Sequence, residues 1–445
     1  MIFRTAALAG AAAGACSIIY FLGLVCGLNP YITLILSALI CAAMVKWVRL
    51  PANEVPSTPP TRWLLIVFLV ALAGAVAIFI LTAFKEPHGY WDAWSIWNLH
   101  ARFMVRGGAH WTDLFTTQIG WTHPDYPLLV PSIVAQAWSV MRSETTLVPA
   151  AVAFLFTFGT AAVVVGAVRM LRGWDQALIA GAFLLGTATF LLQGVAQYAD
   201  IPLAFYMVTA VALLCFDDVK CTVLAGAMAG FASWTKNEGL LFIVVLVVAR
   251  CIVRLRHRSA AKLFVELKWF AAGLAPVLAV VALFKFRYAP PGDLLTGKPG
   301  EMLGHLVDFG RWVTVIEGFV KHLFIFGSLP TFIVPVIIVL AVYAFLVRFR
   351  VDPELRTAVH TMIAAVVLML LGDFAVYLLL SNRLDWQIDT SLDRILMQIW
   401  PAALLAFFAA SGSVQLASLP QKGTQKAPQK EAKKDGKKAA ATRRR

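Results

Sequence analysis

The chain has 445 residues, 60% of them hydrophobic and 14% charged, with a mean hydropathy of +0.78, which is more apolar surface than one soluble core can hide. Its formal charge of +14 sits mostly in short loops and in the stretch from Gln421 to Arg445, whose composition builds no core, so the basicity points to membrane headgroups and topology and away from nucleic acid. Long apolar runs recur without barrel-type alternation. The expected class is an all-α polytopic membrane protein with about twelve transmembrane helices.

In chain order the expected spans are Ala6 to Leu28, Tyr31 to Val48, Trp63 to Phe84, Leu147 to Val168, Ala177 to Tyr198, Ile201 to Phe216, Thr222 to Thr235, Gly239 to Val253, Phe264 to Phe286, Leu329 to Val347, Thr357 to Leu380 and Ile395 to Ala410. The first run has no small-residue cleavage site and reads as a retained helix. The sixth to eighth are short and require shielding by neighbours or a thinned bilayer. Lys46, Arg49, Arg62, Arg169, Arg172, Lys220, the segment RCIVRLRHRSAAK at 250–262 and RFRVDPELR at 348–356 all fall on one side with Arg4 and the basic tail. The positive-inside rule makes that side cytoplasmic, with both termini, and an inner (plasma) membrane is the expected location. The other side receives the long segment Lys85 to Thr146, the turns at Asp200 and at Lys236 to Glu238, the segment Arg287 to Ser328 and the loop Ser381 to Arg394. No second half repeats the first, so an internally repeated transporter has no sequence support.

The long outer segment opens with YWDAWSIWNLHARFMVRGG at 90–108. An interfacial helix is expected there, with Trp91, Trp94, Ile96, Trp97, Leu99 and Phe103 largely on one face. A second short helix is expected after Pro127, over 126–141. Asp92, beside Trp91 and Trp94, is placed either to take a proton in a partly dry setting or to cap the helix. In HPDYP at 123–127, two prolines fix the backbone around His123 and Asp125, which suits substrate contact and also simply ends helices.

Further on, QYADIPLAFY at 197–206 puts Asp200 at the start of an apolar run, where an ionisable group is expensive and marks a site or a paired charge. FASWTKNEGLLF at 231–242 offers Lys236 and Glu238, as a salt bridge capping a tight turn or as a cation near Asp200 for an anionic ligand. SNRLDWQIDTSLDRILMQIWP at 381–401 carries Arg383, Asp393 and Arg394; an arginine there forks onto phosphate or snorkels. The six cysteines show no CxxC and no histidine at ligand spacing, and read as small core residues. P-loop, GxGxxG, HExxH and GxSxG motifs are absent.

Taken in order, these segments resemble the glycosyltransferase C superfamily, in the branch of aminoarabinose transferases and protein O-mannosyltransferases. The resemblance rests on the acid in the first large outer loop (Asp92), the HPDYP loop, the Asp-x-Pro opening a short span (Asp200 to Pro202), the Thr-Lys turn followed by Gly-Leu-Leu (Thr235 to Leu241), and the Arg-bearing loop before a late Trp-Pro span. It runs from about residue 85 to 250, with weaker support near 381–401. It implies transfer of a sugar from a polyprenyl-phosphate donor to a lipid or glycan acceptor on the periplasmic face, with inversion. Asp92 and Asp200 would then be catalytic, and Lys236, Arg383 and Arg394 would hold the donor phosphate. Trp91, Trp94, His123, Asp125, Tyr126, Glu238 and Asp393 would contact substrate. No cofactor is expected, since the first motif has Asp92 alone, followed by Ala93 and Trp94, and does not support a divalent metal. The domains would be two added helices over 1–60, the membrane catalytic domain over 61–411 with its loop at 85–146, and a disordered basic tail over 412–445. Two other readings stand beside this one. A transporter or flippase of a lipid-linked saccharide would need polar groups near the midplane, and a glycan polymerase or ligase would share the donor class without needing the Thr-Lys turn.

Overall fold

A computed structural model describes residues 1–47, 59–292, 299–328, 335–380 and 383–412, all within one compact unit, Met1–Ser413. Arg49, the start of the span expected at Leu329, and all but the first residue of the tail expected over 412–445 lie outside the described residues. The described residues are helical, with no strand beyond an isolated bridge between Phe349 and Ser411. The helices are α1 (Ile2–Val25), α2 (Pro30–Trp47), α3 (Arg62–Lys85), α4 (Asn98–Arg106), α5 (Leu129–Met141), α6 (Leu147–Arg172), α7 (Trp174–Gly186), α8 (Ala188–Val195), α9 (Asp200–Leu213), α10 (Val219–Thr235), α11 (Glu238–Arg256), α12 (Ala260–Arg287), α13 (Pro299–Val307), α14 (Phe309–Ile325), α15 (Val336–Val347), α16 (Arg356–Leu380) and α17 (Leu384–Ala410).

Each expected span falls on a helix, but the count of twelve is not reached. Among the described residues, seven helical stretches are long and apolar enough to cross a membrane: α1, α2, α3, α6, α12, Pro353–Leu379 (which includes most of α16) and α17. The pair α7 and α8, bent by 63°, makes an eighth if it is one broken span. The chain is thus an all-helical, multi-pass membrane protein. Part of the shortfall lies in α9, where 14 residues reach about 21 Å, short of the roughly 30 Å of hydrocarbon. Every residue of α9 is buried, so its neighbours, not lipid, surround it, and hydrophobic length no longer has to match bilayer thickness.

Small residues bring the helices around α9 close together. A Cβ on Gly226 of α10 would run into the Phe270 carbonyl, and one on Gly273 of α12 into that of Val223, the close backbone approach that small residues permit between membrane helices. α1 enters the same core: Tyr206 donates to the Gly10 carbonyl at 2.9 Å and the Trp234 indole N–H to Ser17 Oγ at 2.9 Å. The loop helix α5, found where a second short helix is expected, lies on α1 and α2. There Tyr20 and Ser139 hydroxyls meet at 3.0 Å, and Thr33 donates to Gln136 at 2.6 Å.

The basic segment at 250–262 does more than mark topology. Arg250 clamps Glu266 through Nε and Nη2 at 2.9 and 3.1 Å, and Arg254 reaches both Glu266 and, at 3.0 Å, Asp217. Both arginines are buried, and they tie the end of α11 to α12 and to the turn after α9.

Candidate active site

Gly89 sets the entry to the outer loop. It has φ of +70°, and a Cβ there would stand 2.6 Å from the Ala196 carbonyl, the same oxygen that accepts from Tyr90 N–H at 3.2 Å. Only glycine allows that approach, and it pins the start of the loop to the α8–α9 connection. A π-helical turn over Ala93–Trp97 follows Asp92 before α4 begins; such turns insert a residue into the helical register. The register change explains why the aromatic residues do not share one face as expected. Trp91 and Trp94 are exposed, while Ile96 and Trp97 are buried.

The pinning brings Asp92 to Asp200. Asp200 opens α9 and is fully buried, and three side chains satisfy its carboxylate. Lys236 Nζ donates at 3.0 Å, Gln398 Nε2 at 2.6 Å, and Arg394 through Nε and Nη2 at 3.2 and 2.9 Å. Arg394 Nη2 also donates to Asp92 Oδ2 at 2.7 Å, so one guanidinium joins two carboxylates supplied from distant parts of the chain. Its plane lies against Tyr198, 4.7 Å from the ring centroid. Lys236 pairs a second time, with Glu238 Oε1 at 2.9 Å. Burial works against the Lys236 charge, yet Asp200 and Glu238 beside it raise its pKa above the ordinary lysine value. A buried charge survives only when paired in this way.

The HPDYP segment borders the cluster. His123 takes a left-handed conformation, φ 52°, uncommon for a residue other than glycine, and its ring stacks on Tyr126 at 4.6 Å. Tyr126 in turn stacks on Trp97 at 5.7 Å and lies 5.9 Å from Lys236 Nζ. Burial pushes the Tyr126 phenol well up, against the pull of Lys236. Asp125 accepts from Asn237 at 2.8 Å through its side chain and from Lys285 at 2.6 Å through its carbonyl, which fastens the loop to the α10–α11 turn and the end of α12.

Two expected residues lie apart from this cluster. Arg383 precedes α17 and is exposed, eleven residues and therefore about 16 Å along the helix from Arg394. Asp393, although next to Arg394, points to α14 and accepts from His322 Nδ1 at 2.8 Å. Sequence reasoning missed Gln398, Tyr198, Asn237 and Lys285. Gln398 carried a usable signal: it follows Arg394 by four residues, the spacing that puts two side chains on one helical face.

The cluster holds three carboxylates, Asp92, Asp200 and Glu238, against two cations, Lys236 and Arg394. Chemically it offers proton acceptors beside hydrogen-bond donors that favour an anion. Among the described residues no three His, Cys, Asp or Glu side chains converge on a metal position. The two aspartates share an arginine instead.

No family model matches the chain, and no curated protein matches it. Among solved structures it is similar to the crystal structure of ArnT from Cupriavidus metallidurans in the apo state, at 16% identity, over 76% of this chain and 77% of that one, with a TM-score of 0.35. So slight a likeness carries no argument. What can be said of this chain's chemistry rests on the residues around Arg394.

Proposed function

We propose that this chain is an integral-membrane glycosyltransferase that moves a sugar from a polyprenyl-phosphate-linked donor to a lipid or glycan acceptor on the periplasmic side, with inversion. The observation that carries the reading is Arg394 held between Asp92 and Asp200. Displacement at a glycosyl phosphate needs a base for the acceptor hydroxyl and a cation for the leaving phosphate. Here both kinds of group lie in contact.

In this scheme the acceptor oxygen attacks the anomeric carbon as the bond from that carbon to the phosphate oxygen breaks. The hydroxyl proton passes to Asp92, and polyprenyl phosphate departs as an anion toward Arg394 and Lys236. Both cations already engage carboxylates, so an incoming phosphate competes with Asp92 for Arg394. By winning that competition it frees Asp92 for the acceptor. Asp200, bound by three side chains, keeps its place and positions both cations. Arg383, three helical turns away, has no part in holding the phosphate.

The test is release of polyprenyl phosphate in lipid nanodiscs, from polyprenyl-phosphate sugars with envelope lipids as acceptor. Wild type is expected to turn over, and a folded Asp92→Asn variant to lose roughly 100-fold or more, the usual scale for a missing general base. Movement of intact donor across the bilayer of sealed proteoliposomes, with no release by either protein, would contradict the proposal and identify a flippase.

A further inference from the structure

We infer that a cleft beside the π-helical turn binds a pyranose ring of the acceptor, an inference that rests on the transferase reading and names the chemistry its acceptor presents. The cleft has a volume of about 630 Å³, within the range of small-molecule sites. Its walls include Glu86, Trp94, Ser95, Leu99, Arg102 and Trp121. Two of these are indoles with large exposed areas, 40% for Trp94 and 55% for Trp121.

The mixture of walls selects the ligand. A pyranose presents a face of C–H bonds, which lies on an indole, and an edge of hydroxyls, which both donate and accept. Glu86 accepts and Arg102 donates at such an edge. An acyl chain would leave these polar groups unpaired. A phosphate would meet the Glu86 carboxylate, and the Arg102 charge is already balanced by Glu144, 3.4 Å from its Nε, while the other N–H groups of the guanidinium remain donors for a neutral hydroxyl. Trp94 and Ser95 follow Asp92 by two and three residues, so their Cα atoms lie within about 11 Å of its Cα. A sugar seated on Trp94 is thereby held near the carboxylate that would take its proton.

The experiment is saturation-transfer-difference NMR on the full chain in nanodiscs, using the methyl pyranosides of glucose, mannose, galactose and arabinose. At least one glycoside is expected to bind wild type, and Trp121→Ala and Glu86→Gln to weaken it by about tenfold, as loss of a contact at the centre of a site does. Polyprenyl-phosphate binding is expected to be the same in Trp121→Ala as in wild type. No binding of any glycoside to wild type, or equal binding by Trp121→Ala, would overturn the inference. The transferase reading fails separately: glycoside binding that depends on Trp121, in a protein that never releases polyprenyl phosphate, leaves the cleft standing without the reaction. Release at the wild-type rate by Trp121→Ala, with no glycoside bound by either protein, leaves the reaction standing without the cleft.

Discussion

Each end of α11 carries a network of buried arginine or lysine with carboxylates, and the two are built for different ends. Near Arg254 the carboxylates lie within 37 residues of it: Glu266 and Asp217 belong to the helix that follows α11 and the turn after α9. About 24 Å away along the helix, Lys236 and Glu238 join Asp200, Asp92 and Arg394, with up to 302 residues between partners. The first network closes a turn. Arg254 and Arg394 each face two carboxylates, so a shared guanidinium does not separate the networks. The second differs in holding three carboxylates against two cations, and in bordering an open cleft through the turn that follows Asp92.

Removing the centre of each network breaks the comparison in opposite ways. Asp200→Ala leaves the buried Lys236 and the half-buried Arg394 each short of a partner and is expected to cost about 3–5 kcal/mol, seen as a large fall in melting temperature and yield, together with loss of polyprenyl phosphate release. Glu266→Gln should cost less, about 1–3 kcal/mol, since Arg254 keeps Asp217 and Arg250 keeps Thr361 at 3.2 Å. Release per folded molecule should not change. A Glu266→Gln protein that folds normally but cannot turn over would erase the distinction.

Smaller effects sharpen the picture of the outer loop. His100 in α4 is fully buried, and burial, aided by His123, holds its pKa down to about 3 from 6.5. Between those values the unfolded chain binds a proton that the folded one refuses, so stability falls as pH drops below 6.5, by about 1.4 kcal/mol per pH unit. His100→Gln should flatten the melting temperature between pH 6.5 and 4. The smallest effect is at Glu144, whose pKa is lowered by the hydrogen bond from Arg106, against the opposing effect of burial. Its contribution is complete above its ordinary value of 4.5 and is lost as pH falls through the lower folded value. The pair is exposed on the Arg106 side, so Glu144→Gln should change only the acid edge of the melting curve, and only slightly.

The sequence made the helices legible because a 3.6-residue repeat was not needed to see them; long apolar runs sufficed. It also made Asp92, Asp200, Lys236, Glu238 and Arg394 legible, since a charge bordering an apolar run is costly wherever the chain goes. The same logic misjudged the spans, because hydropathy does not say whether α9 faces lipid or protein. It also could not separate Arg394 from Arg383, or see that Asp393 turns away to His322. That depends on helical phase, which only the packing of α17 against α9 and α14 fixes. The aromatic face was misread for a local reason: one π-helical turn after Asp92 shifts the register, and nothing in AWSIW announces it.

The most direct test of the account is the affinity of polyprenyl phosphate for wild type and for Asp92→Asn, measured in nanodiscs alongside turnover. Asp92 competes for Arg394, and a partly exposed ion pair is worth up to about 1 kcal/mol. The variant should therefore bind polyprenyl phosphate up to roughly fivefold tighter while losing turnover. Weaker or equal binding, or turnover that survives the substitution, would contradict the claim that one arginine is shared between the base and the departing phosphate.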